Sequence, residues 1–122
     1  RRYLLLVERT ETDAEGTRGL CEGYPDLRVV MLNPGYRGTR PLYALLDNCP
    51  NLYVDLSTQA TFGAIEALCA RFGAERFLFG TGQPKVEGAG IVVALNYAAL
   101  EEAEVRNIAA GNLERLLGEV QL

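Results

Sequence analysis

Four short apolar runs recur along the chain at nearly equal intervals: YLLLVE from Tyr3, RVVMLN from Arg28, LYVDLS from Leu52 and RFLFG from Arg76. Successive starts lie about 24 residues apart, the length of a strand, a loop, a helix and a second loop. The intervening segments carry helical spacing. TFGAIEALCARFG puts Phe62, Ile65, Leu68, Cys69 and Phe72 on one face and meets a stop signal at Gly73. RPLYALLDNC repeats the pattern more briefly with Leu42, Leu45 and Leu46. The first connection, Asp13 to Tyr24, is weakly patterned and reads as a helix. After the fourth run a Gly-rich loop passes Gly88 and Gly90. Helical stretches follow around Ile91 to Tyr97 and from Glu101 towards Leu117, the second interrupted at Gly111. The pattern predicts an α/β fold with four parallel β/α units and carboxyl-terminal helices.

Size and charge narrow the function. A chain of 122 residues, 48% hydrophobic, has the dimensions of a single domain, spanning 1–122. Its 12 basic and 16 acidic residues give a net charge of -4. Neither nucleic acid nor an anionic membrane would attract such a chain, and its basic residues are scattered. Cys21, Cys49 and Cys69 lack the close spacing of a zinc site and are odd in number for a disulfide framework, so a reduced, cytoplasmic setting is expected. No run approaches the roughly 18 apolar residues of a membrane span, and no signal peptide is visible. The chain lacks an initiator methionine and is expected to be a processed or partial product. It contains no histidine, which removes His-based metal sites, the Ser-His-Asp triad and an imidazole base. GTGQPKVEGAG lacks the ordered GxxxxGK[ST] pattern and precedes its helix, so it reads as a mobile loop, with phosphate cradling by Lys85 a weaker alternative.

Parallel β/α units collect ligands at the carboxyl ends of their strands, and period-two alternation says which side chains arrive there. In LYVDLS, Leu52, Val54 and Leu56 are expected to meet the helices while Tyr53, Asp55 and Ser57 face inward. In RFLFGTG, Phe77 and Phe79 pack outward and Leu78, Gly80 and Gly82 inward. The same parity places Met31 and Asn33 inward on the second strand and Leu6 and Glu8 inward on the first. Glu8, Asn33, Asp55 with Ser57, and Gly82 therefore converge, and with the loop from Thr81 to Gly90 they are expected to line one cavity. Inward polar residues also serve structurally, and Arg9, Arg37 and Arg40 are available partners for the carboxylates. Thr81, Gln83 and Pro84 read equally as a turn or as a ligand-lining loop. Tyr36 and Tyr43 read as packing, Phe62, Ile65 and Leu68 as core, and Glu101, Glu102 and Glu104 as a solvated first turn.

NLYVDLS at 51–57, AERFLFGTGQP at 74–84 and IAAGNLERLLG at 108–118 resemble the carboxyl-terminal half of an amidohydrolase-related family, metal-dependent hydrolases and decarboxylases built on a distorted TIM barrel. The resemblance implies that the four apolar runs are barrel strands five to eight, so that the chain is a partial (β/α) barrel. Family members carry a segment close to "FGSD-aromatic-P" whose Asp binds metal, and Gly82 stands at that position. Their metal-ligand His followed by Gly corresponds to Asn33 and Gly35, and a further His corresponds loosely to Glu8. The resemblance thus implies an altered site. Glu8 or Asp55 would transfer protons or hold water, and Asn33, Ser57, Thr81, Gly82 and Gln83 would contact a small organic acid, ester or amide. The cofactor stays unknown, with a divalent metal expected only if an amino-terminal half supplies ligands. Partners are expected to be a small-molecule substrate or ligand, together with the remainder of the barrel or a homo-oligomer partner. Three accounts stay open: an altered-site enzyme, a non-catalytic small-molecule-binding relative, and a fragment without independent activity.

Overall fold

The computed structural model describes residues 3–35, 39–85 and 87–120. Strands β1 (Leu4–Glu8), β2 (Arg28–Leu32), β3 (Leu52–Asp55) and β4 (Phe77–Leu78) form one sheet in the order β1-β2-β3-β4. Every pairing is parallel, with Leu4 opposite Arg28, Val29 opposite Leu52 and Val54 opposite Phe77. Parallel neighbours need crossover connections, and α1 (Ala14–Gly23), α2 (Thr39–Asn48) and α3 (Ala64–Phe72) provide them. Beyond β4 lie α4 (Ala89–Asn96), α5 (Glu102–Arg106) and α6 (Asn112–Gly118). Among the described residues no helix is long and apolar enough to cross a membrane.

Local chemistry sets the boundaries. The weakly patterned α1 begins because Asp13 Oδ1 accepts the Gly16 N–H at 2.7 Å, satisfying a donor of the first turn. Helix α3 stops at Gly73, whose φ of 88° suits a residue without Cβ. The buried Asn51 and the half-buried Arg76, each just before a strand, tie that strand entry to the helix end and strand entry of the preceding β/α unit. Asn51 Nδ2 donates to the carbonyls of Cys21, Tyr24 and Leu27. The Arg76 guanidinium donates to those of Leu46, Cys49 and Leu52. Burial of that guanidinium pushes its pKa down, an effect the nearby acidic groups oppose.

The sheet separates two apolar clusters. On the helix side Val29, Val54, Leu56 and Phe77 pack against Leu42, Leu46, Ile65 and Leu68. Full burial of each such side chain contributes about 1.5–3 kcal/mol. On the inner face Val30 and Leu78 are buried under Leu116, with Leu4, Leu32 and Tyr53 beside them. The expected parity holds on β1, β3 and β4 and fails on β2. Met31 lies with Val29 in the helix-side core, and Leu32 takes the inner position. Phe62 is also corrected: it is fully exposed, because α3 begins at Ala64 and the helical face does not extend back to it. Tyr43 packs edge-to-face on Phe72 at 5.3 Å, as expected, whereas Tyr36 lies outside the described residues.

Gly111 does not interrupt the last helix. The backbone instead widens into a π-helical segment, Asn107–Gly111, in which the Asn112 N–H bonds to the Asn107 carbonyl. Such widening releases a carbonyl from the α ladder, and that of Ile108 accepts the Phe79 N–H at 3.0 Å. Asn112, fully buried, donates through Nδ2 to the carbonyls of Ala74 and Phe77, both at 2.8 Å. Further along, Glu119 pairs with Arg28 at 3.3 Å. The helix therefore runs along β4 and ends across the inner face.

Candidate functional site

The ends of β1, β2 and β3 deliver Glu8, Asn33, Asp55 and Ser57 into one hydrogen-bonded cluster. Asn33 is its hub. Its φ of 51° makes it the single non-glycine residue with positive φ among the described residues, a conformation that Asn adopts more readily than most. That turn breaks the strand alternation. It explains how Asn33 reaches the inner face although Met31 points to the helices. Asn33 Nδ2 donates to both oxygens of Glu8, at 3.1 and 3.3 Å. Its Oδ1 accepts the Ser57 hydroxyl at 2.6 Å, and its backbone N–H donates to Asp55 Oδ2 at 3.3 Å.

Asp55 and Ser57 are buried, and each is bonded to its surroundings. The second oxygen of Asp55 accepts the Ser57 N–H at 2.6 Å, so the carboxylate clamps the β2 and β3 termini together. Gly80 gives it room, since a Cβ there would stand 3.2 Å from Asp55 Cγ. Glu8 differs: it is partly exposed, and Lys85 Nζ approaches its Oε1 to 3.9 Å. Among the described residues no arginine forms an ion pair with these carboxylates. Arg9 instead lies along Gly35, where a Cβ would meet its Nε at 3.1 Å, and Arg40 is exposed. Arg37 lies outside the described residues.

The loop after β4 is less committed to the cluster. Gly82 takes a φ of 72°. Thr81 and Gln83 close around Gly88, where a Cβ would meet them at 2.9 and 3.2 Å. Thr58 and Gln59, which sequence reasoning missed, hold the turn after β2: Gly35 N–H donates to Thr58 Oγ1 at 3.0 Å and Gln59 Nε2 donates to the Gly35 carbonyl at 3.2 Å. Their signal was the repeat itself, because Ser57 with Asn33 and Gln59 with Gly35 are both separated by 24 residues. A cavity of about 350 Å³ on the helix side is lined by Arg9 and Asp13 with Met31 and Leu42.

Metal-binding capacity follows from the donor set. Among the described residues no group of three His, Cys, Asp or Glu is placed to hold a metal ion. Both oxygens of Asp55 are engaged by backbone N–H groups, and Gly82 has no side chain. The residues present do not make up a metal centre by themselves.

Comparison with known proteins gives this arrangement a context. An uncharacterised TIM-barrel protein from Bordetella bronchiseptica superposes with a TM-score of 0.74 at 23% identity, covering 96% of this chain and 45% of that one. A 2,6-dihydroxybenzoate decarboxylase from Rhizobium superposes at 0.63 with 18% identity, covering 84% and 38%. A dihydroxybenzoic acid decarboxylase from Polaromonas, with bound manganese and an inhibitor, superposes at 0.62 with 19% identity, covering 87% and 38%. The chain thus has the fold of part of a TIM barrel and spans less than half the length of these structures. No curated protein sequence matches it. The amidohydrolase family model, however, matches residues 12–118, nearly the whole chain, and the chain belongs to the amidohydrolase family.

Proposed function

We propose that residues 1–122 form the carboxyl-terminal half of an amidohydrolase-family barrel that acts as a hydrolase or decarboxylase on a small organic acid, ester or amide. The observation that carries this reading is the strand-end cluster, in which Asn33 holds the partly exposed Glu8 by both oxygens. A carboxylate fixed in orientation and open on one side suits proton transfer. In hydrolysis Glu8 would take a proton from the attacking water, and in decarboxylation its protonated form would deliver one to the carbon that loses CO2. Asp55, buried and with each oxygen accepting a backbone N–H, keeps the strand ends in register, and the proton-transfer role considered for it passes to Glu8. Asn33 and Ser57 orient Glu8 beside the substrate. Gly82 leaves space for that substrate, Thr81 and Gln83 border it, and Lys85 supplies a positive charge over Glu8.

The manganese of the Polaromonas enzyme belongs to that protein. Any divalent metal in a complete barrel here would take its ligands from the other half, and no step is assigned to it. A non-catalytic binding role is the second reading, favoured by Gly82 standing where the family resemblance places a carboxylate. Elemental analysis of the complete barrel, with an ester, amide and decarboxylation screen of wild type, Glu8→Gln and Asp55→Asn, separates the two. Turnover lost in Glu8→Gln supports the first; stoichiometric ligand binding without turnover supports the second.

A further inference from the structure

The turn after β2 holds two left-handed residues, Asn33 at φ 51° and Gly35 at φ 81°, with the buried Pro34 between them. Left-handed backbone at a non-glycine residue is costly and persists only where its surroundings fix it. Three consecutive residues of the loop after β3 do so. Ser57 Oγ donates to Asn33 Oδ1, Thr58 Oγ1 accepts the Gly35 N–H at 3.0 Å, and Gln59 Nε2 donates to the Gly35 carbonyl at 3.2 Å. Both backbone polar groups of Gly35 are thereby held from the neighbouring unit. Gln59 Nε2 also donates to Thr58 Oγ1 at 3.4 Å, so the buried Thr58 oxygen is where the two donors meet.

Gly35 bears on Glu8 along two routes. Along the chain it fixes Asn33, two residues back, whose Nδ2 donates to both Glu8 oxygens. Across space, the face of Gly35 that would carry a Cβ is covered by the Arg9 side chain, with Nε and Cζ at 3.1 and 3.2 Å from that position. Arg9 follows Glu8 directly, so a displaced Gly35 loosens the ledge under Arg9 together with the amide that grips the carboxylate. We propose that Thr58 is a positioning residue for Glu8: its hydroxyl, with Gln59, pins Gly35, and Gly35 sets both the Asn33 amide and the Arg9 side chain that hold Glu8 in place. Thr58 acts through Gly35, and its loss leaves the Gly35 N–H without the partner that fixes the turn. The effect on turnover rests on the proposed role of Glu8; the effect on geometry does not.

The first test therefore reads no turnover. In NMR of this chain, solvent exchange of the Asn33 Nδ2 protons should quicken at least about tenfold in Thr58→Val, which removes the hydroxyl, and keep the wild-type rate in Thr58→Ser, which retains it. The Asn112 Nδ2 protons, bonded to the Ala74 and Phe77 carbonyls, report general loosening and should not change. Asn33 exchange that Thr58→Val leaves alone, or that quickens only in step with Asn112, overturns the proposal. Where Thr58→Val does not fold, Gln59→Leu, which frees the Gly35 carbonyl, decides by the same criterion. The second test is the kinetics of the complete barrel on the best substrate of the screen. Thr58→Val should lower kcat about tenfold with KM within about threefold, and Thr58→Ser should restore it. A wild-type kcat in Thr58→Val beside an inactive Glu8→Gln overturns the positioning role and leaves the proposed function standing. Glu8→Gln at the wild-type rate, or a barrel without turnover, counts against the proposed function instead, and Asn33 exchange then decides the positioning role by itself.

Discussion

Ser57 Oγ donates to Asn33 Oδ1 at 2.6 Å across the ends of two adjacent strands. This bond orients the amide, because an oxygen held by Ser57 leaves Nδ2 facing Glu8. Removing the hydroxyl releases the amide rather than only deleting one contact.

Ser57→Ala should therefore destabilise the chain by about 1–2 kcal/mol, the loss expected when a partly buried acceptor is left without its donor. Chemical denaturation measures this. A complete barrel carrying the same substitution should keep its substrate affinity within a few-fold while kcat falls, since Glu8 stays present but loses its orientation.

Asn112 predicts a larger effect on stability. Its Nδ2 serves two buried carbonyls at 2.8 Å, and neither finds a replacement in Asn112→Ala. A loss of about 2–4 kcal/mol is expected, from the cost of leaving buried acceptors unpaired. Amide exchange should quicken first in the final helix and at Phe79.

The buried thiols predict a response to alkali. Burial raises Cys21 from 9.0 to about 12, with Cys49 alongside adding to the shift, and raises Cys69 to about 11 by burial and nearby carboxylates. A thiol raised in the folded state favours the native form while it is protonated. Its contribution is full below pH 9 and declines as pH rises towards 11 and 12. Folded protein at pH 8 should resist alkylation at Cys21 and Cys69, and denaturation midpoints should fall steadily above about pH 9.

The fold was legible because one periodicity repeats at every level. Strand starts and helix starts recur every 24 or 25 residues, and the cross-strand bonds of Ser57 and Gln59 span the same interval of 24. Glu8, Asn33, Asp55 and Ser57 were found from strand-end parity, yet for Asn33 the parity argument was incorrect. Met31 faces the helices, and a left-handed residue restores Asn33 to the inner face, which alternation alone cannot express. The role of Asp55 was not readable either, because its donors are backbone N–H groups that exist only once β2 and β3 are aligned. The bond from Phe79 to the Ile108 carbonyl depends on the π-helical segment, and the Gly111 that suggested a break carries ordinary helical angles of φ -59° and ψ -39°.

The account turns on Glu8 as the group that moves a proton. The most direct measurement is the kcat of a complete barrel containing this chain, on the best substrate of the hydrolysis and decarboxylation screen, for wild type against Glu8→Gln. Gln keeps the size of the side chain and removes its acid–base function. The account predicts a fall of about 10²–10⁴ in kcat with KM little changed. A Glu8→Gln barrel that turns over at the wild-type rate would contradict it.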